Sequence, residues 1–201
     1  MKSLFNFIIK PKTNRYDNTK KIDDKELILN TEIFSHQYIS RIGIVLELPT
    51  SYETNIKVGD EVIVHHNVFR RWHDVNDVER NSRNFFEEDK YFVYLDQVFA
   101  YRSNKEWKAL DGYCFVKPIE KNNNSIIKDT EKERPLIGVL KYLDNNLENI
   151  GLKQNDLVGF TPNSEYEFVI NSERLYRVLI SEITIKYEYQ GDEKEYNPSW
   201  A

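Results

Sequence analysis

Residues 42–64 read IGIVLELPTSYETNIKVGDEVIV, and residues 137–160 read IGVLKYLDNNLENIGLKQNDLVGF. Both stretches contain an Ile-Gly strand, a short polar corner, a tight turn that ends in Asp, and a second apolar strand. The turn requires a residue that tolerates a positive φ, and Gly59 and Asn155 meet that requirement. The β-branched runs on either side are typical of buried strands. The sequence therefore predicts two copies of one β unit.

Two further pairs of segments match in the same order along the chain. Residues 7–11 (FIIKP) match 115–118 (FVKP), and residues 91–98 (YFVYLDQV) match 176–183 (YRVLISEI). The second copy is shorter in two places, between its first and second strands and before its last strands. Loops absorb such changes in length and strands do not, so both places are expected to be loops.

The length of 201 residues allows two domains of about 100 residues. We expect a first domain at 1–104, a second at 105–188 and a flexible tail at 189–201. Short strands at regular spacing with polar turns favour an all-β fold of two tandem small antiparallel β-barrels. Helical patterning is scarce: residues 143–152 fit one turn, and residues 74–89 fit a short helix or an irregular loop.

Composition and charge argue against several classes of function. The net charge of −5 disfavours nucleic acid as a partner, because phosphate binding requires a basic face. No apolar run approaches the roughly 20 residues needed to span a bilayer, and the N-terminal stretch lacks a signal cleavage site. A single cysteine excludes a disulfide framework and fits a reducing compartment. We expect a soluble, cytoplasmic protein with no nucleic-acid or membrane partner.

Residues that could carry chemistry do not form a catalytic or metal-binding pattern. On a strand, His65 and His66 would point to opposite faces and could not ligate one ion together. With His73, they are interpreted as surface or interface residues. Cys114 lies in an apolar strand and is expected to be a buried hydrophobic residue. The sequence predicts no catalytic residue, no metal site and no cofactor.

The long loop at 12–40 is expected to be mobile because its first half is polar, charged and glycine-free. Aliphatic residues nevertheless occur in this loop and in the corresponding loop of the second copy: Leu27, Ile28, Leu29, Ile126 and Ile127. One interpretation is a strand that pairs with the barrel. The other is an exposed anchor for a partner, and the spacing alone leaves both open.

Residues 68–89 are interpreted as an insertion in the first copy, because the second copy is shorter before its last strands. The basic and aromatic cluster of this insertion, Arg70, Arg71 and Trp72, is expected to make an inter-subunit or roof contact. Contact with nucleic acid and a simply solvated insertion are the alternatives.

Together these elements resemble the GroES-like co-chaperonin family over nearly the whole chain. The resemblance rests on the Lys-Pro end of the first strand, the Ile-Gly strand, the Lys-Val-Gly-Asp-Glu-Val motif at 57–62, and the Tyr176-x-Val and Glu182-Ile183 pairs. It implies two GroES-like barrels that form a homo-oligomer, expected to be a heptamer. It also implies a non-enzymatic function, in which the ring caps an ATP- or ADP-bound chaperonin and closes its folding chamber.

The family docks on the chaperonin through an aliphatic tripeptide in its mobile loop. By position, that tripeptide falls on residues 27–29 and 125–127, which implies that these residues bind the chaperonin. Glu26 and Ser125 stand where the family usually has glycine. The short segment after the Ile-Gly strand is similar to the reduced roof of the bacteriophage form. The alternative is a structural or assembly protein, such as a viral one, that uses the barrel without binding a chaperonin.

Overall fold

The computed structural model describes residues 2–16, 19–22, 25–28, 38–121, 132–188 and 193–201. The chain divides into two compact units, Met1–Glu106 and Trp107–Ala201. Strands dominate both, and the described residues contain one α-helix, α1 (Asn145–Asn149). The prediction of an all-β fold is confirmed, and α1 lies in the stretch for which one helical turn was expected. Nowhere in the described ranges does a helix combine the length and apolar character needed to cross a bilayer.

The strands of the first half of the chain form one large sheet and two small hairpins. They are β1 (Phe7–Pro11), β2 (Thr19–Ile22), β3 (Lys25–Ile28), β4 (Ile42–Glu47), β5 (Glu61–Val64), β6 (Arg71–His73), β7 (Glu79–Asn81), β8 (Phe85–Glu87), β9 (Lys90–Val93), β10 (Val98–Ser103) and β11 (Glu106–Ala109). The seven-stranded sheet has the order β11-β10-β5-β4-β1-β9-β8, whereas β2-β3 and β6-β7 are separate two-stranded sheets.

The second half forms one six-stranded sheet. Its strands are β12 (Tyr113–Glu120), β13 (Glu133–Tyr142), β14 (Leu157–Phe160), β15 (Tyr166–Ile170), β16 (Glu173–Leu179) and β17 (Ile183–Tyr187). Their order is β15-β16-β12-β13-β14-β17. Helix α1 follows β13 and begins after Asp144, whose carboxylate accepts a hydrogen bond from the Leu147 amide at 2.9 Å.

The two sheets share one topology, which confirms the internal repeat. The order β10-β5-β4-β1-β9-β8 in the first corresponds to β17-β14-β13-β12-β16-β15 in the second. The register also agrees, since Pro11 lies opposite Gly43 and Pro118 lies opposite Gly138. The blocks that match in sequence therefore occupy equivalent strands.

The tight turn in each copy has the predicted backbone. The φ angle is 91° at Gly59 and 70° at Asn155, so both residues adopt the left-handed conformation. A carboxylate fixes each turn: Oδ2 accepts a hydrogen bond from the amide three residues earlier, at 2.8 Å for Asp60 and 2.7 Å for Asp156. The prediction from these two residues is confirmed.

Each sheet packs its own core of aliphatic and aromatic side chains. Fully buried residues of the first unit include Phe7, Ile9, Ile63, Phe69 and Tyr91, and those of the second include Phe115, Val116, Leu140, Phe168 and Val178. Both sheets keep open edges, at β11 and β8 in one and at β15 and β17 in the other. Within the described ranges, neither sheet closes into the predicted barrel.

The segment 74–89 was expected to be a short helix or an irregular loop, and this expectation was wrong. Residues 79–81 form β7, which pairs with β6, and residues 85–87 form β8 at the edge of the large sheet. The turn between β6 and β7 is held by Asp74, whose Oδ1 accepts hydrogen bonds from the Asn76 and Val78 amides. That local carboxylate turn favours a hairpin over a helix.

The tail at 189–201 was expected to be flexible, but residues 193–201 dock on the second unit. The Tyr196 amide donates to the Pro118 carbonyl at 2.8 Å, and the Glu120 amide donates to the Lys194 carbonyl at 2.7 Å. The Arg174 guanidinium lies 5.7 Å from the centre of the Trp200 ring. Backbone pairing of this kind gives the segment a fixed position despite its polar composition.

Candidate partner-binding loop and insertion

The β2–β3 hairpin carries two of the predicted anchor residues, Leu27 and Ile28. In the backbone register, Leu27 lies opposite Lys20 and Ile28 lies opposite Thr19. The hairpin is a sheet of its own and not part of the seven-stranded sheet. The backbone of Leu27 and Ile28 thus pairs with its own loop instead of with the large sheet. Leu29 lies outside the described residues.

The other two predicted anchors, Ile126 and Ile127, also lie outside the described residues. The base of their loop is described: the Lys121 amide donates to the Lys132 carbonyl at 2.9 Å, and Glu120 pairs with Glu133. The two ends of the second loop are therefore held together by backbone pairing.

The two ends of the first loop are held together in the same way. Tyr16 forms an antiparallel bridge with Ile39, and the Ser40 amide donates to the Arg15 carbonyl at 2.9 Å. Tyr16 is 5% exposed and Ile39 is 2% exposed. The loop between these residues therefore starts and finishes at one buried point.

Arg15 connects this point to the insertion. Its guanidinium donates three hydrogen bonds, from Nε to the Phe69 carbonyl at 3.2 Å, from Nη1 to Asn81 Oδ1 at 2.8 Å and from Nη2 to the Arg70 carbonyl at 3.4 Å. It also lies 5.3 Å from the centre of the Tyr91 ring. Burial lowers the pKa of Arg15, although nearby tyrosines oppose this effect. The three acceptors and the ring compensate for the lost hydration of the charge.

Tyr16 makes a second connection to the insertion. Its hydroxyl accepts a hydrogen bond from the Arg71 amide at 2.8 Å, and the Arg71 guanidinium lies 5.0 Å from the centre of its ring. The Arg71 side chain also forms an ion pair with Glu79 at 3.0 Å, which joins β6 to β7. Both the backbone and the side chain of Arg71 are thus engaged at the base of the loop.

The structure brings Arg70 and Arg71 of the predicted cluster to the base of the loop, whereas Trp72 makes its contact within the insertion hairpin. Arg70 contributes its carbonyl to Arg15. The Trp72 indole donates to the Asn81 carbonyl at 3.2 Å and is 43% exposed. Their predicted role in an inter-subunit or roof contact stays a prediction. The contacts of Arg70 and Arg71 with the loop base were not foreseen.

Sequence reasoning did not single out Arg15 and Tyr16. The only local signal was an adjacent Arg-Tyr pair in an otherwise polar loop, and such pairs are common on surfaces. What marks these residues is a contact with the insertion more than 50 positions away, and no periodic pattern encodes that contact.

A corresponding cluster in the second unit was also missed. Arg174 donates from Nη1 to Glu133 at 2.8 Å and from Nε to Glu167 at 2.7 Å, and it lies 4.9 Å from the centre of the Tyr176 ring. The Tyr176 hydroxyl donates to Glu133 at 2.8 Å. Burial, together with this bond to Glu133, raises the pKa of Tyr176.

A shallow cavity of about 480 Å³ lies beside this cluster. Its lining combines the base of the second loop with the C-terminal segment: Lys132, Glu133, Pro135, Arg174, Tyr196, Pro198, Ser199 and Trp200. Because Arg174 and Glu133 already neutralise each other, the cavity has no uncompensated charge from this pair to attract an ionic ligand.

His65 and His66 stack on each other, and Cys114 is buried in the second unit. His65 and His66 do not point to opposite faces as expected, because β5 ends at Val64; their rings stack with centres 4.2 Å apart. Cys114 is buried as predicted, and burial raises the pKa of its thiol to about 12. Across the part of the chain that the structure describes, no three His, Cys, Asp or Glu side chains group so as to hold a metal ion.

The site is therefore a loop whose hairpin carries aliphatic residues and whose two ends are fastened to an insertion. Comparison of the chain with protein-family models and with curated proteins found no match.

Proposed function

We propose that this protein is a non-enzymatic co-chaperonin that caps a chaperonin ring and closes its folding chamber. In this proposal, each unit is a barrel of GroES-like type, and the ring acts in the cytoplasm. The observation that carries the proposal is the position of the β2–β3 hairpin. It is inserted between the first and second strands of a duplicated unit, and it carries Leu27 and Ile28 outside the large sheet.

The energetics favour docking through several loops at once. Burial of three aliphatic side chains contributes roughly 4–8 kcal/mol before any cost is counted. Ordering about eight loop residues costs on the order of 8–16 kcal/mol of backbone entropy. Residues 19–22 and 25–28 are already paired, which reduces that cost, but a single loop would still bind weakly.

A ring of subunits removes this weakness, because every docking after the first is intramolecular. Weak individual contacts also permit release, which a lid that opens and closes requires. Whole chains of two units cannot cover a seven-fold partner in a single layer. We therefore propose seven chains, each docking its first unit on an ATP- or ADP-bound chaperonin, because the loop of the first unit is the longer one.

The test is capture of the full-length protein by a group I chaperonin with and without ATP. Wild type is expected to be captured only with nucleotide, and Leu27→Asp/Ile28→Asp is expected to abolish capture because two charges replace the apolar anchor. A matched control is Val58→Asp/Ile150→Asp, which places two charges on exposed aliphatic residues away from the loops.

The outcomes separate the two functions. Loss of capture in the loop variant but not in the control supports docking through the first loop. Equal loss in both variants contradicts it. Absence of capture for wild type under all nucleotide conditions contradicts the co-chaperonin proposal and favours the structural or assembly protein.

A further inference from the structure

The side chain of Arg15 reaches from the start of the loop to three separate positions of the insertion. It binds the carbonyls of Phe69 and Arg70, which precede β6, and the side chain of Asn81, which ends β7. One guanidinium therefore fixes both strands of the insertion hairpin to the loop. A planar group with five donors in a fixed arrangement is suited to such a junction.

The opposite end of the loop is fastened to the same point through Tyr16. This residue bridges Ile39 through the backbone and accepts the Arg71 amide through its hydroxyl. Ser40, which follows Ile39, donates its amide to the Arg15 carbonyl. The loop start, the loop end and the insertion consequently meet in one cluster.

One part of this arrangement, an arginine on a tyrosine ring beside the loop base, recurs in the second unit with an arginine from a different element. Tyr91 and Tyr176 are equivalent in the repeat, and each has a guanidinium on its ring, from Arg15 in the first unit and Arg174 in the second. Arg174 binds Glu133, which begins the strand after the second loop. Although the two copies differ in sequence, each holds its loop base at the equivalent tyrosine. This recurrence indicates that the contact does more than pack the core.

We infer that Arg15, Tyr16 and the insertion residues that they contact form a loop clamp, which fixes the direction in which the β2–β3 hairpin is presented to its partner. Arg15 is the positioning residue of this clamp. The existence of the clamp follows from the contacts of Arg15 and Tyr16 with the insertion and with the end of the loop. Its consequence for binding rests on the proposed function.

The clamp acts through the direction in which the loop is presented and not through the length of the loop. Without the clamp, the nearest remaining link between the two ends among the described residues is the hydrogen bond from the Lys12 amide to the Ile42 carbonyl. The segment between the fastened ends would then grow from residues 17–38 to residues 13–41. Closure entropy rises only slowly with length, so this growth alone has little effect. Loss of direction lowers the effective concentration of every loop on a ring, and that effect multiplies over the subunits.

The first measurement requires no partner. In Arg15→Ala, the Ser40 and Arg71 amides are expected to exchange their hydrogens about tenfold faster than in wild type, because the groups that hold their acceptors in place are gone. The control Arg80→Ala removes an arginine whose ion pair, with Asp74, lies inside the insertion hairpin. It is expected to leave both amides unchanged. The Val45 amide, which donates to the Asp60 carbonyl, reports whether the sheet remains folded.

The second measurement is capture by the chaperonin with nucleotide. Arg15→Ala is expected to weaken capture by about tenfold or more, since the loss applies to several loops together. A double variant, Arg15→Cys/Ser40→Cys, separates direction from direct contact, because these two residues lie opposite each other beside the Tyr16–Ile39 bridge. When it is reduced, the variant lacks the clamp and is expected to bind weakly. When it is oxidised, the disulfide rejoins the loop ends and capture is expected to return.

Three results would overturn the inference. They are unchanged exchange at Ser40 and Arg71 in Arg15→Ala, equal effects of Arg15→Ala and Arg80→Ala, and weak capture that oxidation of the double cysteine variant does not restore. A wild-type protein that no chaperonin captures would instead contradict the proposed function, and the exchange experiment would still decide whether the clamp exists.

Discussion

At Gly138 the sheet leaves no room for a side chain. A Cβ atom there would lie 2.5 Å from the Lys117 carbonyl oxygen and 2.5 Å from Cγ1 of Val116. The equivalent residue of the first copy, Gly43, has softer surroundings. Its nearest atom would be Cδ1 of Ile9 at 2.6 Å, the flexible end of a side chain, while the Lys10 carbonyl oxygen stands 3.2 Å away. A side chain at position 138 would thus collide with the backbone of the neighbouring strand, whereas one at position 43 would collide mainly with the Ile9 side chain.

We therefore predict that Gly138→Ala lowers the free energy of unfolding of the second unit by about 1–3 kcal/mol, as expected for overpacking against backbone. Gly43→Ala should cost the first unit less, because the Ile9 side chain can change its rotamer. Urea denaturation followed by amide hydrogen exchange measures the two units separately. Equal costs at the two positions, or a larger cost at Gly43, would contradict the prediction.

The C-terminal segment, residues 193–201, is held by ion pairs of Glu195 as well as by its backbone hydrogen bonds. Lys117, whose side chain is only 7% exposed, pairs with Glu173 at 3.2 Å and with Glu195 at 3.5 Å. Glu195 also pairs with Lys141. Partial burial would raise the pKa of Glu195, but the hydrogen bond from Lys141 and the charges of both lysines outweigh it and lower the pKa. The ionised form of Glu195 therefore stabilises the docked segment.

Because this pKa is lowered on docking, the stabilisation is present above the ordinary value of 4.5 and is lost as the pH falls through the lower, docked value. We predict that acidification below this range releases the segment and shifts the emission of Trp200 to longer wavelength. The measurement uses a Trp72→Phe/Trp107→Phe background, so that Trp200 is the only tryptophan. In Glu195→Gln, the shift should already be present at neutral pH and should not depend on pH. Identical pH profiles with and without Glu195 would show that another group controls docking.

On the scale of the whole molecule, one chain contains two compact units that share one topology. The proposed function requires that chains of this kind assemble, since a single loop binds too weakly to hold a lid in place. The duplication within the chain does not make assembly unnecessary. One chain supplies only two loops, whereas a chaperonin ring offers more docking sites than two.

We therefore predict that native mass spectrometry of the purified protein gives a homo-oligomer, with seven chains as the expected number. The assembly should persist in Leu27→Asp/Ile28→Asp, because the proposed function assigns the hairpin to the contact with the chaperonin and not to the contact between subunits. A monomer that is stable at all accessible concentrations would contradict the ring, and dissociation of the loop variant would place the hairpin in the contact between subunits.

Much of the fold could be predicted from residues whose effect is local. Gly59 and Asn155 indicated the tight turns because few residues adopt a positive φ without strain, and the Ile-Gly blocks indicated equivalent strands because β-branched runs are typical of buried strands. The site was predicted less completely. The sequence indicated the aliphatic residues of the loop, but not Arg15, Tyr16 or the docked C-terminal segment.

By itself, the sequence determined the all-β class, the duplication, the turns and the short helix α1, because these depend on neighbouring residues and on order along the chain. Tertiary structure alone decided that segment 74–89 contains one strand of a hairpin and an edge strand of the large sheet, that His65 and His66 stack, and that Arg15 fastens the loop to the insertion. Each of these features depends on where a strand ends or on which residues, distant in sequence, come into contact in the fold. Such contacts join single side chains across long sequence separations, and their energy exists only after the strands have paired.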